Sequence, residues 1–233
     1  MTKNRQRRLA LLIPAHNEEL VIQNTLESAI KAGLNRKDIY IVDDASKDET
    51  LLKAGEILPI TNILKVEHSG KAGAISKAIE YFKIEERYRW LHIADADSMF
   101  AKNYFHVFLD NLSDKYVATI GVVQSMRGNW LCSYRAVSYT WGQQVIRRIQ
   151  AVLGMITILP GPTTSFRTDI IKKLDFHTKS LTEDFDITLQ IHRKKLGKIK
   201  FVPEAVNYTQ DPNTIYDYAH QSLRWYRGFF QGE

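Results

Sequence analysis

The first hundred residues alternate between short apolar runs and segments with helical periodicity, and this alternation constrains the fold more than any other feature. The apolar runs are residues 9–13, 39–42, 63–66 and 90–94. Continuous runs of this length are typical of strands buried on both faces. Because the helix after each strand must cover a face of the sheet, the pattern predicts a Rossmann-like, three-layer α/β fold with a mostly parallel central sheet flanked by helices.

Local signals add detail to this outline. Ser46 and Glu49 have the spacing of a capping box, which predicts a helix that begins there and reaches Leu58. In the second half, residues 117–123 and 199–202 are strand candidates, and Pro203 is expected to stop the later one. Residues 131–152 are predicted to form a long helical region. Repeats and low-complexity linkers are absent from the sequence, so residues 1–233 are predicted to form one domain.

Composition excludes several classes of protein. The net charge of +6 suits an anionic nucleotide, a membrane surface or nucleic acid equally. The single cysteine, Cys132, excludes an intramolecular disulfide and a zinc site built from cysteines, and it fits a reducing compartment. No segment has the ~20 consecutive apolar residues of a membrane-spanning helix. Nucleic-acid binding rests on charge alone, without a basic stripe or a motif, so none is expected.

Acidic residues follow two of the predicted strands. Asp43 and Asp44 come after the second strand, and Asp95 and Asp97 come after the fourth. Ligands of open α/β sheets bind beyond the carboxyl ends of the strands, so these carboxylates are expected to face one crevice. Two hard carboxylates can bind Mg²⁺ or Mn²⁺ and leave positions for diphosphate oxygens. The alternative is that they are solvated acids in turns, where Asp is common.

The common phosphate-binding motifs are missing. A dinucleotide site needs a Gly-rich turn after the first strand, where this chain has PAHNEE. A P-loop around Gly70 and Lys71 would need Gly at Lys65 and Ser or Thr at Ala72. Lys71 itself lies near a predicted helix start, where it could contact a phosphate or simply be solvated.

The order of the motifs is more specific than any one of them. The chain has PAHNEE, DDAS, HSGKAGA, DAD, TED and QSLRW in succession. From Leu11 to Gly228 it resembles the family 2 glycosyltransferases with a GT-A fold, and most of all the processive, membrane-embedded subset that includes hyaluronan, chitin and cellulose synthases. The resemblance implies an inverting, metal-dependent transfer of a sugar from a nucleotide-diphosphate sugar to a hydroxyl acceptor.

The resemblance also implies roles for the early motifs. The nucleotide would be held by residues from the first three motifs, namely Ala15, Glu18, Asp43, Asp44 and Lys71. In the same family the first acid of DAD contacts the nucleotide and the second holds the divalent metal, Mg²⁺ or Mn²⁺. These acids are Asp95 and Asp97 here.

The later motifs would supply the chemistry. Asp184 of TED matches the family's general base, with Glu183 beside it. The alternative for Asp184 is an acid in the first turn of a helix capped by Thr182.

The last motif and a loop before it would form the acceptor side. Gln221, Arg224 and Trp225 share one side of a predicted helix, where Arg can pair with the leaving diphosphate and Trp can stack on a sugar. The alternative is an amphipathic helix that buries Leu223 and Trp225. The loop GPTTSFR, which begins at Gly161, resembles the acceptor-side loop of the family.

Two departures from the family pattern involve no charged group: Ala45 replaces a frequent Gly, and the acceptor-side loop is less Gly-rich.

The resemblance divides the domain into a nucleotide-binding half, about 1–100, and an acceptor-binding lobe, about 101–233. The expected partners are the nucleotide-sugar donor, a carbohydrate acceptor such as a growing polysaccharide, and a membrane in the full-length protein. Relatives carry membrane helices after QxxRW, so the chain is expected to be a catalytic portion that lies at the cytoplasmic face of the membrane. The alternatives are a non-processive transferase acting on a lipid or protein, and a silent nucleotide-sugar-binding module.

Overall fold

A computed structural model describes residues 7–126, 128–176 and 183–231. The fold is a mixed eight-stranded sheet with helices on its faces. The strands are β1 (Arg7–Ala15), β2 (Ile39–Asp44), β3 (Ile63–Val66), β4 (Tyr88–Ile93), β5 (Met99–Phe100), β6 (Tyr116–Ser125), β7 (Thr164–Arg167) and β8 (Lys198–Thr209). Their order in the sheet is β3-β2-β1-β4-β7-β6-β8-β5.

The helices follow the strands closely along the chain. The α-helices are α1 (Ile22–Lys31), α2 (Thr50–Gly55), α3 (Gly70–Tyr81), α4 (Ile84–Arg87), α5 (Tyr104–Asn111), α6 (Trp130–Tyr139), α7 (Arg147–Leu153), α8 (Thr168–Ile171), α9 (Glu183–Arg193) and α10 (Ile215–Gln231). Two apolar clusters of buried residues lie in the fold, and both draw side chains from β1, β2 and β4. These strands are therefore covered on both faces, as their continuous apolar runs predicted.

The first half confirms the prediction of parallel strands. β1 lies between β2 and β4 and is parallel to both, and β2 is parallel to β3. The carboxyl ends of these strands consequently lie at one edge of the sheet, and the acidic loops follow β2 and β4 there. β1 extends through Pro14 to Ala15, beyond the predicted end at Ile13.

The predicted capping box is wrong. α2 begins at Thr50 and ends at Gly55, three residues short of Leu58. The hydroxyl of Ser46 accepts a hydrogen bond from the backbone N–H of Asn17, and its side chain caps no helix. Ser46 therefore joins the loop after β2 to the loop after β1. The spacing of Ser46 and Glu49 in the sequence cannot distinguish such a contact from a helix cap.

The predicted end of the last strand at Pro203 is also wrong. β8 runs for 12 residues, from Lys198 to Thr209, and its pairing with β6 shifts register between Ile120 and Val122. Pro203 lies inside this irregularity, where a missing N–H breaks no regular ladder bond. Gly121 makes the close approach possible, because a Cβ atom there would lie 2.6 Å from the carbonyl oxygen of Ala205.

The predicted helical region of residues 131–152 is confirmed, with one irregularity. A π-helical segment, Thr140–Ile146, joins α6 to α7. Within residues 7–126, 128–176 and 183–231, no helix has both the length and the apolar character needed to cross a bilayer. Large apolar side chains are nevertheless exposed on α6, α7, α10 and the π segment, including Trp130, Val137, Trp141, Val152, Tyr216, Tyr226 and Phe230.

Candidate active site

A cleft of about 1420 Å³ opens at the carboxyl ends of β1, β2 and β4. The loops after these strands form one side, and α6, the π segment, α7 and α10 contribute to the other. Most of the site residues predicted from the sequence line it: Ala15, Glu18, Asp44, Lys71, Asp95, Asp97, Gly161, Asp184, Gln221, Arg224 and Trp225. The side chain of Glu183 lies outside the part of the chain that the structure describes.

The first two loops of the cleft are joined by hydrogen bonds. Asn17, which has a left-handed backbone (φ 57°), donates its N–H to Ser46 and accepts the N–H of Lys47 through its side chain. The N–H of Glu18 is bonded to the hydroxyl of Thr50. These contacts fix the PAHNEE loop against the DDAS loop, so both present their side chains to the cleft in one arrangement.

The two acids of DDAS have different environments. The carboxylate of Asp44 accepts the N–H of Ser69 at 2.7 Å, and this contact lies at the cleft. Asp43 is fully buried, does not line the cleft, and accepts the N–H of Ser46 within its own loop. Ala45, the departure noted in the sequence, has φ 61°, a left-handed conformation that favours glycine.

Lys71 and the DAD loop meet inside the cleft. The Lys71 ammonium at the start of α3 donates to Asp95 Oδ1 at 2.7 Å. The loop is held by Thr25 of α1, whose hydroxyl donates to the carbonyl of Ala96 at 2.6 Å. Asp97 accepts a hydrogen bond from the hydroxyl of Thr209 at the end of β8. The loop is therefore held by residues from both halves of the domain.

Burial and neighbouring carboxylates raise the pKa values of two acids at the cleft, Glu18 and Asp97. Burial and the neighbouring charges of Asp97 and Asp95 raise the pKa of Glu18 to about 7. Burial and the charge of Asp95 also raise the pKa of Asp97. Three acids held close enough to repel one another, with one lysine among them, form a donor set that suits a hard divalent cation.

Asp184 lies at the start of α9 and lines the same cleft. Its Oδ2 accepts the backbone N–H of Gly161 at 2.8 Å. A Cβ atom at Gly161 would lie 3.3 Å from Asp184 Oδ2 and 3.3 Å from Lys71 Nζ. The absence of a side chain at Gly161 thus allows Asp184 and Lys71 to lie close to the backbone of this residue. The cap candidate Thr182 lies outside the described residues.

The QSLRW motif lies on α10 with Gln221, Arg224 and Trp225 all lining the cleft. The alternative interpretation, a helix that buries Leu223 and Trp225, is wrong because these side chains are 52% and 40% exposed. Burial therefore does not explain the motif.

Arg135 and Asp211 form a buried ion pair that the sequence analysis missed. Their closest atoms are 2.8 Å apart, between Arg135 Nε and Asp211 Oδ1. The Arg135 guanidinium also lies over the rings of Tyr139, Tyr218 and Trp225, at 5.0, 5.5 and 5.0 Å from their centroids. Arg135 consequently fixes the orientation of Trp225 relative to α6.

A polar stripe along α6, the π-helical segment and α7 was missed as well. Arg135, Tyr139, Gln143 and Arg147 all line the cleft and follow one another at intervals of four residues. This interval, in a region otherwise rich in aromatic and aliphatic residues, was the available signal.

Two histidines lie at the Asp44 end. The Nδ1 of His68 is 2.9 Å from Asp44 Oδ2, and the Nδ1 of His16 is 2.6 Å from the Asp44 carbonyl. Ligand atoms of the three residues lie within 4.8 Å of one another, which is close enough to hold a metal ion. No spacing in the sequence had indicated this cluster.

Residues 6–228 match the family model described as "Glycosyltransferase like family 2", and the chain belongs to this family. The chain is therefore a glycosyltransferase domain. It is 23% identical over 229 residues to the poly-β-1,6-N-acetyl-D-glucosamine synthase of Staphylococcus aureus, with 94% of this chain and 54% of that protein covered. The chain thus spans about half the length of the curated relatives it matches.

Solved structures confirm the GT-A fold. The mannosyltransferase PcManGT of Pyrobaculum calidifontis, in complex with GDP-Man and Mn²⁺, has a TM-score of 0.69 at 16% identity and covers 97% of this chain and 63% of its own. The S. aureus protein TarS, residues 1–349 with UDP-GlcNAc, has a TM-score of 0.65 at 16% identity and covers 89% and 59%. The resemblance read from the order of the motifs is therefore confirmed at the level of family and fold.

Proposed function

We propose that this domain transfers a sugar, with inversion, from a nucleotide-diphosphate sugar to a hydroxyl of a growing polysaccharide. The observation that carries the proposal is that motifs spread from Ala15 to Trp225 line one cleft. Asp44 and Lys71 bind the nucleotide and its phosphates. Asp43, which faces its own loop, shapes the nucleotide site through Ser46 and does not contact the ligand.

A divalent cation completes the donor site in this proposal. Asp97 holds it, with Asp95 and Glu18 beside it, because their mutual repulsion and partial burial leave negative charge to be neutralised. When bound, Mg²⁺ or Mn²⁺ would neutralise the charge that develops on the diphosphate. The solved complex of PcManGT contains Mn²⁺, which supports a metal of this kind.

Asp184 is the proposed general base, with Glu183 beside it. The N–H of Gly161 orients the Asp184 carboxylate, which accepts the proton of the attacking hydroxyl in this proposal. Arg224 lines the same cleft and pairs with the leaving diphosphate. Gln221 and Trp225 bind the acceptor, and Trp225 stacks on its ring.

The relatives support an acceptor to test, and exposed side chains support a location. The S. aureus relative is named for a polymer of N-acetyl-D-glucosamine, which supports N-acetylglucosamine as the first sugar to test. The exposed aromatic and aliphatic side chains of α6, α7 and α10 support association of the full-length protein with the cytoplasmic face of a membrane. The nucleotide-binding half, about 1–100, and the acceptor-binding half, about 101–233, would act as one domain.

The test is turnover of UDP-GlcNAc with Mn²⁺ or Mg²⁺, comparing Asp184→Asn with the unchanged protein. General-base catalysis contributes about 10²- to 10⁴-fold, so turnover should fall by that factor while donor Kd stays within about twofold. Asp186→Asn, on the same helix but outside the cleft lining, is the control. Retained turnover in Asp184→Asn would remove the proposed base.

Product analysis separates the remaining alternatives. A polymer supports polysaccharide synthesis, whereas addition of one residue supports a non-processive transferase. Metal-dependent donor binding without hydrolysis or transfer would show a silent binding module instead. An anomeric configuration in the product opposite to that of the donor supports inversion.

A further inference from the structure

The polar stripe of Arg135, Tyr139, Gln143 and Arg147 is kept in line by the π-helical segment. In an α-helix a residue four positions later is rotated by about 40° beyond a full turn, so a stripe with this interval drifts around the helix. A π turn is wider and has more than four residues, which rotates the next position back. Since Thr140–Ile146 is π-helical, Gln143 and Arg147 remain directed into the cleft with Tyr139.

Two members of this stripe contain buried polar atoms that lack partners. Gln143 is 8% exposed and Arg147 is 9% exposed. Among the residues that the structure describes, Gln143 Oε1, Arg147 Nε and Arg147 Nη1 have no hydrogen-bond partner, and the same holds for Gln221 Oε1 on α10. Each unsatisfied buried group costs roughly 1–3 kcal/mol, so a wall with several of them is expected to be completed by a ligand.

The mixture of donors and acceptors indicates the chemistry of that ligand. The unpaired guanidinium atoms of Arg147 donate, whereas the unpaired oxygens of Gln143 and Gln221 accept. Phosphate and carboxylate oxygens only accept, so they would satisfy Arg147 and leave the glutamine oxygens unpaired. Hydroxyl groups do both, and a sugar ring offers several of them on adjacent carbons.

The position of the stripe indicates which sugar. Arg147 and Asp184 line the same cleft. Burial lowers the pKa of Arg147 to about 10, and the charge of Asp184 opposes this shift, so the two groups interact. Lys71 is paired with Asp95 in the loop proposed for the donor. A hydroxyl-bearing ligand held by Arg147 is therefore on the side of the cleft where the proton is accepted.

We propose that Gln143 and Arg147 form a subsite that binds adjacent hydroxyl groups of the acceptor sugar and directs the attacking hydroxyl toward Asp184. The planar fork of Arg147 donates to two oxygens in a fixed geometry, and Gln143 accepts from a hydroxyl. This inference rests on the proposed function, since it names the residues that select the acceptor of the same reaction.

The test uses UDP-GlcNAc with Mn²⁺ as donor and a β-1,6-linked N-acetylglucosamine oligosaccharide as acceptor. In Arg147→Met and Gln143→Leu, acceptor KM should rise about tenfold or more, while donor Kd and donor hydrolysis change by less than about twofold. Arg148→Met is the matched control, because Arg148 is exposed and its side chain is bonded to Gln144 within the helix. It should leave all three quantities unchanged.

A rise in donor Kd equal to the rise in acceptor KM would overturn the inference, because Arg147 would then bind the diphosphate. Unchanged acceptor KM would also overturn it. If Arg147→Met fails to fold, Arg147→Lys decides, since it keeps the charge but loses the fork and should still raise acceptor KM.

Saturation-transfer NMR of the oligosaccharide alone separates this inference from the proposed function. Binding by the unchanged protein that is lost in Arg147→Met supports the subsite even without turnover. Absence of binding by the unchanged protein, or equal binding by the variant, overturns the subsite, whereas failure to bind or use any nucleotide sugar overturns the proposed function.

Discussion

The ammonium of Lys71 lies 2.7 Å from the Oδ1 of Asp95, and this ion pair joins the start of α3 to the DAD loop after β4. Both side chains are about one-third exposed, so the pair faces the cleft and is accessible to a ligand. The lysine thereby reduces the negative charge of a loop that also contains Asp97. A donor diphosphate bound there would share this cation with Asp95.

Replacing Lys71 by methionine should weaken donor binding. Hydrogen bonds that involve charged groups contribute about 1.5–3 kcal/mol, so donor Kd should rise by about tenfold or more. Titration calorimetry with UDP-GlcNAc and Mn²⁺ measures this. Lys77→Met is the control, because Lys77 is exposed on the same helix and donates to Glu67 and Ser69, which do not line the cleft. Equal affinity in the two variants would exclude Lys71 from the donor site.

Replacing Asp97 by asparagine should stabilise the metal-free protein and abolish its response to metal. The substitution removes a partly buried charge whose pKa is raised by burial and by Asp95. A gain on the order of 1 kcal/mol would raise Tm by roughly 2–4 °C in a domain of this size. Added Mn²⁺ should raise the Tm of the unchanged protein and of the surface control Asp110→Asn, but not that of Asp97→Asn. A normal Mn²⁺ shift in Asp97→Asn would contradict the proposed metal ligand.

Replacing Gly161 by alanine should reduce turnover without unfolding the protein. Gly161 is not among the residues with positive φ, so alanine is compatible with its backbone. Its Cβ would lie 3.3 Å from both Asp184 Oδ2 and Lys71 Nζ, which forces one of them to move. Small misplacements at a reacting centre cost up to about a hundredfold in rate, and we expect a fall of tenfold to a hundredfold in kcat.

The matched control is Gly142→Ala. A Cβ atom at Gly142 has no described neighbour within 4 Å, so this variant should keep full turnover. If Gly161→Ala were as active as Gly142→Ala, the close packing around Asp184 would have no catalytic consequence.

The buried histidine His92 should make the protein less stable as the pH falls below 6.5. Burial lowers the pKa of His92 to about 3 from its ordinary value of 6.5. Between these values the unfolded chain binds a proton that the folded protein excludes, so stability declines with falling pH by about 1.4 kcal/mol per pH unit. The unfolded histidine is half protonated at pH 6.5, so from pH 6.5 to pH 5 the loss due to His92 is about 1.6 kcal/mol.

Urea unfolding of the unchanged protein and of His92→Gln between pH 6.5 and pH 5 gives the free energy of unfolding at each pH. The contribution of His92 is the difference between the slopes of these free energies against pH. The variant should lose this part of the pH dependence, while the exposed His220→Gln should retain it. Parallel pH profiles for the unchanged protein and His92→Gln would contradict the burial argument.

The sequence predicted the strands and loops whose signals are local. Apolar runs followed by acids placed Asp44, Asp95 and Asp97 correctly at one edge of the sheet. The sequence could not predict which of Asp43 and Asp44 faces the cleft. Consecutive residues of a strand point to opposite faces, so only one of the two can do so, and the motif does not say which. Asp43 accordingly bonds to its own loop.

Long-range contacts and backbone geometry account for the features that local sequence signals did not predict. Pro203 was expected to end β8, but the close approach allowed by Gly121 on β6 lets the strand continue through an irregularity. Ala45 occupies a left-handed position usually given to glycine, a strain visible only in the backbone angles. The π-helical segment keeps the polar stripe from Arg135 to Arg147 on one side of the helix. The α-helical period of 3.6 residues does not predict this alignment.

The exposed apolar side chains of α6, the π-helical segment, α7 and α10 predict how this domain behaves in solution. Trp130, Trp141, Val152, Tyr216 and Phe230 are each more than 60% exposed. At the concentrations used for crystallisation, such side chains drive self-association of an isolated domain. Mild detergent is therefore expected to keep the domain monodisperse, and sedimentation in its absence is expected to show aggregates that mask the enzyme's own oligomeric state.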